Sequence, residues 1–139
     1  MDNAEPSTNG VAASNLSRLS AMLEDDSYAS LAKSTVQAFE AETMQHPFLF
    51  PGLLDTAISA RLGMCSVVIG GEGDRIGKAV QKMRNSVNSF RTVVRLGGGA
   101  QSKWLVERNR LLGSIDATDA TIQLCENKTC RMIHDDEIL

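Results

Sequence analysis

No block of like charge, no long apolar run and only a few cysteines occur in this sequence, and each shortage removes a class of function. Fourteen lysines and arginines stand against 17 aspartates and glutamates, a formal net charge of -3. The basic residues are scattered, so there is no electrostatic footprint for nucleic acid or for an acidic membrane surface. No apolar stretch approaches the roughly 20 residues that a membrane-spanning helix needs. The opening Met1-Asp2-Asn3-Ala4-Glu5 is acidic and lacks the basic and apolar regions of a secretory leader. The expectation is a cytoplasmic chain that takes neither nucleic acid nor membrane as a partner. Without a secretory route, the sequons at Asn15-Leu16-Ser17 and Asn127-Lys128-Thr129 carry no weight.

Ligands for a metal are equally scarce. Cys65, Cys125 and Cys130 are too few for a disulfide scaffold, and their odd number favours reduced thiols. Zinc would need four ligands, and the two histidines, His46 and His134, stand at no recognisable spacing from the cysteines. No serine sits in a glycine elbow, and no serine, histidine and acid have motif context. Neither metal nor cofactor is expected, and the chain shows no self-contained active site.

What is present changes character near Gly63. Before it the periodicity is helical. Leu16, Leu19 and Leu23 repeat at helical spacing after Ser7-Thr8-Asn9, whose side chains can cap a helix. Glu24-Asp25-Asp26 interrupts the pattern and opens a second helix, predicted to turn Tyr28, Leu31, Ala32, Val36 and Phe39 inward and to end near His46-Pro47. Pro51 suits the first turn of a third helix with Leu54, Ala57, Ile58 and Leu62 inside and Gly63 as its stop. Three helices with small inner residues (Ala12, Ala13, Ala29, Ala32, Ala38) and an unpaired third member do not close a bundle. They read as a slice through a larger helical array.

After Gly63 the pattern is α/β. Ser66-Val67-Val68-Ile69 reads as a buried strand. Asp74 is placed to cap a helix with Ile76, Val80, Met83 and Val87 on one face, and Thr92-Val93-Val94 is the next strand. A short helix is expected around Trp104 to Arg108. Two strands, Thr121 to Leu124 and Arg131 to Ile133, flank a turn at Glu126-Asn127-Lys128, and Asp135 to Leu139 forms a short acidic helical tail.

Two local features invite chemistry. Gly70-Gly71-Glu72-Gly73 lies between strand and helix, where a dinucleotide fingerprint would sit. Counted from Gly71, the third small residue should be at Ile76, and Gly77 comes one place late. No acidic ribose partner follows at the proper distance, so a plain tight turn is the better reading. Cys125-Glu126-Asn127-Lys128-Thr129-Cys130 is more distinctive, because cysteines flanking a hairpin turn stand close enough to bond. Reduced structural thiols are favoured, with a disulfide or redox-sensitive pair at Cys125 and Cys130 the alternative and metal binding the weakest.

Three stretches then combine into a resemblance. Glu5-Pro6-Ser7-Thr8-Asn9-Gly10-Val11-Ala12-Ala13 followed by Asn15-Leu16-Ser17-Arg18-Leu19, then Val67-Val68-Ile69-Gly70-Gly71, then Leu124-Cys125-Glu126-Asn127-Lys128-Thr129-Cys130 with Asp135, occur in the order found in the spermatogenesis-associated, thioredoxin-like family. Gly10 departs from that pattern, which often has serine there, and residues 86–119 match poorly. Members resemble a thioredoxin-like domain joined to an (α/α)6 toroid of the six-hairpin glycosidase type. The resemblance implies an α+β chain, with a helical hairpin segment of the toroid over 1–63 and a small α/β carboxyl-terminal unit over 64–139. It implies a fragment without catalysis of its own, from a parent whose activity is redox or carbohydrate related. The partner would be the rest of the parent chain or another protein. By the same resemblance, Glu5, Ser7 and Asn9 would face a sugar-like ligand at a toroid mouth, with Glu5 the acid/base candidate. Capping by Ser7 or Asn9 is the competing role.

Overall fold

The computed structural model describes residues 1–139 apart from Asn3, Val87, Ser89, Gly98, Gly99, 116–119, Asn127, Asp135, Asp136, Ile138, Leu139 and the side chain of Gln101. The chain is α+β and divides after Met64 into two units. The predicted positions Val87, Asn127 and most of the acidic tail lie outside the described residues.

The first unit is helical. Helix α1 (Thr8–Leu23) begins where the Ser7 hydroxyl accepts from the Gly10 amide, and ends where Glu24 turns left-handed at φ 54°. Helix α2 (Asp26–Gln37) starts on Asp25, whose carboxylate accepts from the Ser27 amide. The predicted second helix does not run through to His46. Ser30, Ser34 and Thr35 hydroxyls bond back to carbonyls one turn earlier, a habit that weakens and bends helices. The chain then breaks at Ala38 and Phe39, letting Phe39 pack beside Ala13, Phe50 and Leu53. Helix α3 (Glu40–Gln45), a 3-10 turn at Pro47–Leu49 and helix α4 (Pro51–Leu62) follow, with Gly63 at φ 89° closing α4.

Helix α4 buries a different face from the one its apolar spacing predicts. Leu53, Thr56 and Ser59 are inside, whereas Ile58 is 47% and Leu62 71% exposed. Two facts make this possible. The Thr56 and Ser59 hydroxyls donate to the helix's own carbonyls of Gly52 and Thr56, so they need no outside partner. Near the start of α4, Gly52 meets Gly10 of α1, and a methyl group added at Gly10 would stand 3.4 Å from the Gly52 backbone. Small residues thus let the two helices approach closely. Leu31, predicted to face inward, is 54% exposed on α2, while Ala32 beside it is buried. Ala13 lies inside as expected, but Ala12, Ala29 and Ala38 do not.

The second unit is a mixed sheet with helices. Strand β1 (Cys65–Gly70) pairs in parallel with β2 (Arg91–Leu96) across helix α5 (Asp74–Asn85). Helix α6 (Ala100–Arg108) precedes β3 (Ile122–Glu126), which runs antiparallel to β1 and to β4 (Thr129–Met132), giving the order β2-β1-β3-β4. On one face Val67, Ile69 and Ile122 pack with Ile76, Ala79 and Met83 of α5 and with Ile133. Gly73, not Asp74, takes the capping position of α5, and Asp74 lies in the first turn, where its charge still suits the dipole. Among the described residues no helix is long and apolar enough to cross a membrane.

Candidate functional site

The residues singled out at the amino terminus stand at the start of α1. Ser7 is half-buried and its oxygen is occupied by the Gly10 amide at 3.2 Å. Glu5 is exposed, and Asn9 is exposed in the first turn of α1 rather than at the cap. The structural role therefore falls to Ser7 alone.

The residue that organises this region is one that no sequence pattern marks. Asp2 sends one carboxylate oxygen to the Ser7 amide at 2.6 Å and the other to the Gly52 amide at 2.7 Å, while its own amide donates to Leu49 at 2.7 Å. One carboxylate thus ties together the amino-terminal ends of α1 and α4, where orphan amides and helix dipoles both favour a negative charge. Hydrogen bonding from Ser7, and then from the Gly52 amide, holds the Asp2 carboxyl below its ordinary pKa. A side chain at Gly52 would crowd this clamp, since an added methyl would stand 3.2 Å from the Asp2 carboxylate. The partners are 50 residues apart in the chain, which is why local spacing could not reveal them.

The glycine loop is built as a turn. Gly71 and Gly73 hold φ of 77° and 114°, conformations that side-chain-bearing residues rarely adopt. In a dinucleotide fingerprint the third glycine permits close packing of helix on strand. Gly77 does not serve that purpose: it is exposed, and a methyl group there would touch nothing within 4 Å. The buried residue of that first turn is Ile76.

At the closing hairpin the favoured expectation of reduced thiols is corrected. Cys125 and Cys130 are joined by a disulfide, and they face each other directly in the β3–β4 ladder with Cα atoms 4.0 Å apart. The physical reason is register. Glu126 pairs with Thr129, so the loop holds only residues 127 and 128, shorter than the four-residue turn the spacing suggested. Lys128 takes the positive φ, 63°, that such tight loops demand. The next pair out is then a close, non-hydrogen-bonded pair, where opposed side chains stand nearest. Beyond the hairpin, Glu137 accepts from Arg131 at 2.7 Å and from the His134 amide at 3.0 Å. The His134 amide first, and Arg131 after it, draw the Glu137 carboxyl below its ordinary pKa.

Cys65 is the free thiol. It is half-buried on β1, donates to the Phe90 carbonyl at 3.5 Å, and burial, with Glu126 adding to it, pushes its pKa up. A raised pKa suppresses the thiolate form of Cys65. His46 stacks edge-on against Phe48. Among the described residues, no three histidine, cysteine or acidic side chains gather as a metal centre. No family model, no curated protein and no solved structure matches this chain.

Proposed function

We propose that this chain is the carboxyl-terminal part of a larger cytoplasmic protein resembling the spermatogenesis-associated, thioredoxin-like family, and that it has no catalysis of its own. In this reading residues 1–63 supply terminal helices of an (α/α)6 toroid, and residues 64–139 form a terminal α/β appendage. The supporting observation is the stripe Leu54, Ala57, Ile58 and Leu62. It has the spacing of an inward helix face, yet Ile58 and Leu62 point to solvent while Thr56 and Ser59 are buried. Neighbouring helices of an array would cover such a stripe, and an exposed apolar patch marks a place of contact. The occupant is the rest of the parent chain. The parent's redox or carbohydrate chemistry follows from the resemblance alone.

A sugar-binding loop at Glu5, Ser7 and Asn9 has weaker support, because the Ser7 oxygen already caps α1. Two measurements test the proposal. Peptides from the endogenous protein, read by mass spectrometry, are expected to continue upstream of Met1 into further amphipathic helices. A mature protein that begins at Met1, or thiol–disulfide reductase activity in the purified chain, would contradict it.

A further inference from the structure

We propose that the Cys125–Cys130 bond is a reversible redox latch that holds the edge strand β4 on the sheet of the second unit. The argument is geometric and independent of the parentage proposed above. The two cysteines are direct cross-strand partners beside a two-residue loop, so bonded and reduced forms fit the same ladder. Both are half-buried, and Glu126, Lys128, Thr129 and Arg131 around them are exposed; a small dithiol is expected to reach the sulfurs without opening the unit. A disulfide at a sheet edge, only half-buried, lies nearer the labile exposed kind than those sealed in a core.

The bond also lies outside the principal apolar cluster. Cys125 pairs with Ser66 and so shares its face of the sheet, whereas Leu124 pairs with Val67 on the face packed against α5. Strand β4 is an edge, and its residues Thr129, Arg131 and Met132 are exposed. Besides its ladder to β3, it has the disulfide and the Arg131–Glu137 ion pair to hold it. Cys65 takes no part in the exchange. Strand alternation turns it to the face opposite Ser66 and Cys125, and its thiol is half-buried.

The chemistry is ordinary exchange. A thiolate of a dithiol reductant attacks one sulfur, forming a mixed disulfide and releasing the other cysteine as a thiolate, which takes a proton. The second thiol of the reductant then displaces the bound cysteine. The protein gains two electrons and two protons, and the reductant leaves as its disulfide. Oxidised glutathione drives the reverse through the same type of mixed disulfide, releasing two molecules of reduced glutathione.

The full chain should be equilibrated in glutathione buffers stepped from reducing to oxidising, with each cysteine followed by differential alkylation and each amide by hydrogen exchange. Cys125 and Cys130 are expected to titrate together as one two-electron couple, unchanged by Cys65→Ser. On reduction, amides of Thr129–Met132 should exchange roughly tenfold faster or more while Val67–Ile69 keep their protection. A Cys125→Ala/Cys130→Ala double variant should show the reduced pattern at every potential. The proposal is overturned if the pair stays as thiols throughout, or if the bond yields only when denaturant unfolds the unit. Loss of protection in β1 together with β4 would overturn it as well.

Discussion

The two units handle apolar side chains in opposite ways. In the second, Val67, Val68, Ile69, Ile76, Met83, Val94, Leu96, Leu112, Ile115, Ile122 and Ile133 are buried, and among the described residues the exposed large apolar ones are Val93, Trp104 and Met132. In the first, Leu23, Phe50 and Leu53 are the large apolar residues buried, whereas Val11, Leu19, Leu31, Met44, Phe48, Ile58 and Leu62 are exposed. What fills the first unit instead is small or hydroxyl-bearing: Gly10, Ala13, Ser17, Ala32, Thr43, Thr56 and Ser59. A sheet with a helix on its face can complete a core in few residues. A set of helices packed through glycine, serine and alanine brings backbones close but buries little apolar area, leaving its larger side chains exposed. The difference between the units is therefore a difference in how much apolar surface each leaves open.

Substitutions sharpen that contrast. The largest expected effect is Ile69→Ala, since Ile69 is 0% exposed in the sheet cluster and truncation of such a residue costs about 2–5 kcal/mol. It should appear as an early loss of amide protection confined to residues 65–139. Next comes the hairpin. Cys125→Ser, which opens a loop of sequence separation 5, should lower stability by about 2 kcal/mol or less in oxidising buffer and by nothing in reducing buffer. A loss of equal size under both conditions would mean that packing, not the bond, was removed.

The Asp2 clamp gives a smaller effect with a definite sign. Its carboxyl is held below the ordinary value in the folded state, so the charged form favours folding. That contribution is fully present above the unfolded pKa of about 4 and is lost as pH falls through the lower folded value. Asp2→Asn should weaken the first unit by about 1 kcal/mol at neutral pH, on the scale of losing a helix cap, and should flatten its response as the pH falls below about 4. An unchanged acid transition in the variant would remove Asp2 from the account.

How much of this could be read from the residues depends on the range of the interaction. The strands at Val67–Ile69 and Thr92–Val94, the helix around Ile76 and Met83, and the stops at Glu24 and Gly63 are local signals, and the structure has them all. The face of α4 was not legible. Periodicity identifies an apolar stripe and assumes it turns inward, whereas Gly10 against Gly52 draws in the small, polar side instead. The break at Phe39 also depends on a packing partner elsewhere, the Ala13–Phe50–Leu53 cluster. The Asp2 clamp was invisible because its second partner lies across the whole first unit in sequence. At the hairpin the spacing pointed to a pair, but only the register shows that Glu126 and Thr129 close the loop and bring the sulfurs together.

The central claim is that the outward face of α4 exists to be covered. Sedimentation of the full chain beside an Ile58→Ser/Leu62→Ser variant, with a dye that reports exposed apolar surface, tests it most directly. The account expects concentration-dependent association and dye binding in the unsubstituted chain, both lost in the variant, with thermal stability changed by less than about 0.5 kcal/mol, as at any exposed site. An unsubstituted chain that stays monomeric and dye-free, with a variant destabilised by several times that amount, would place Ile58 and Leu62 in a core and contradict it.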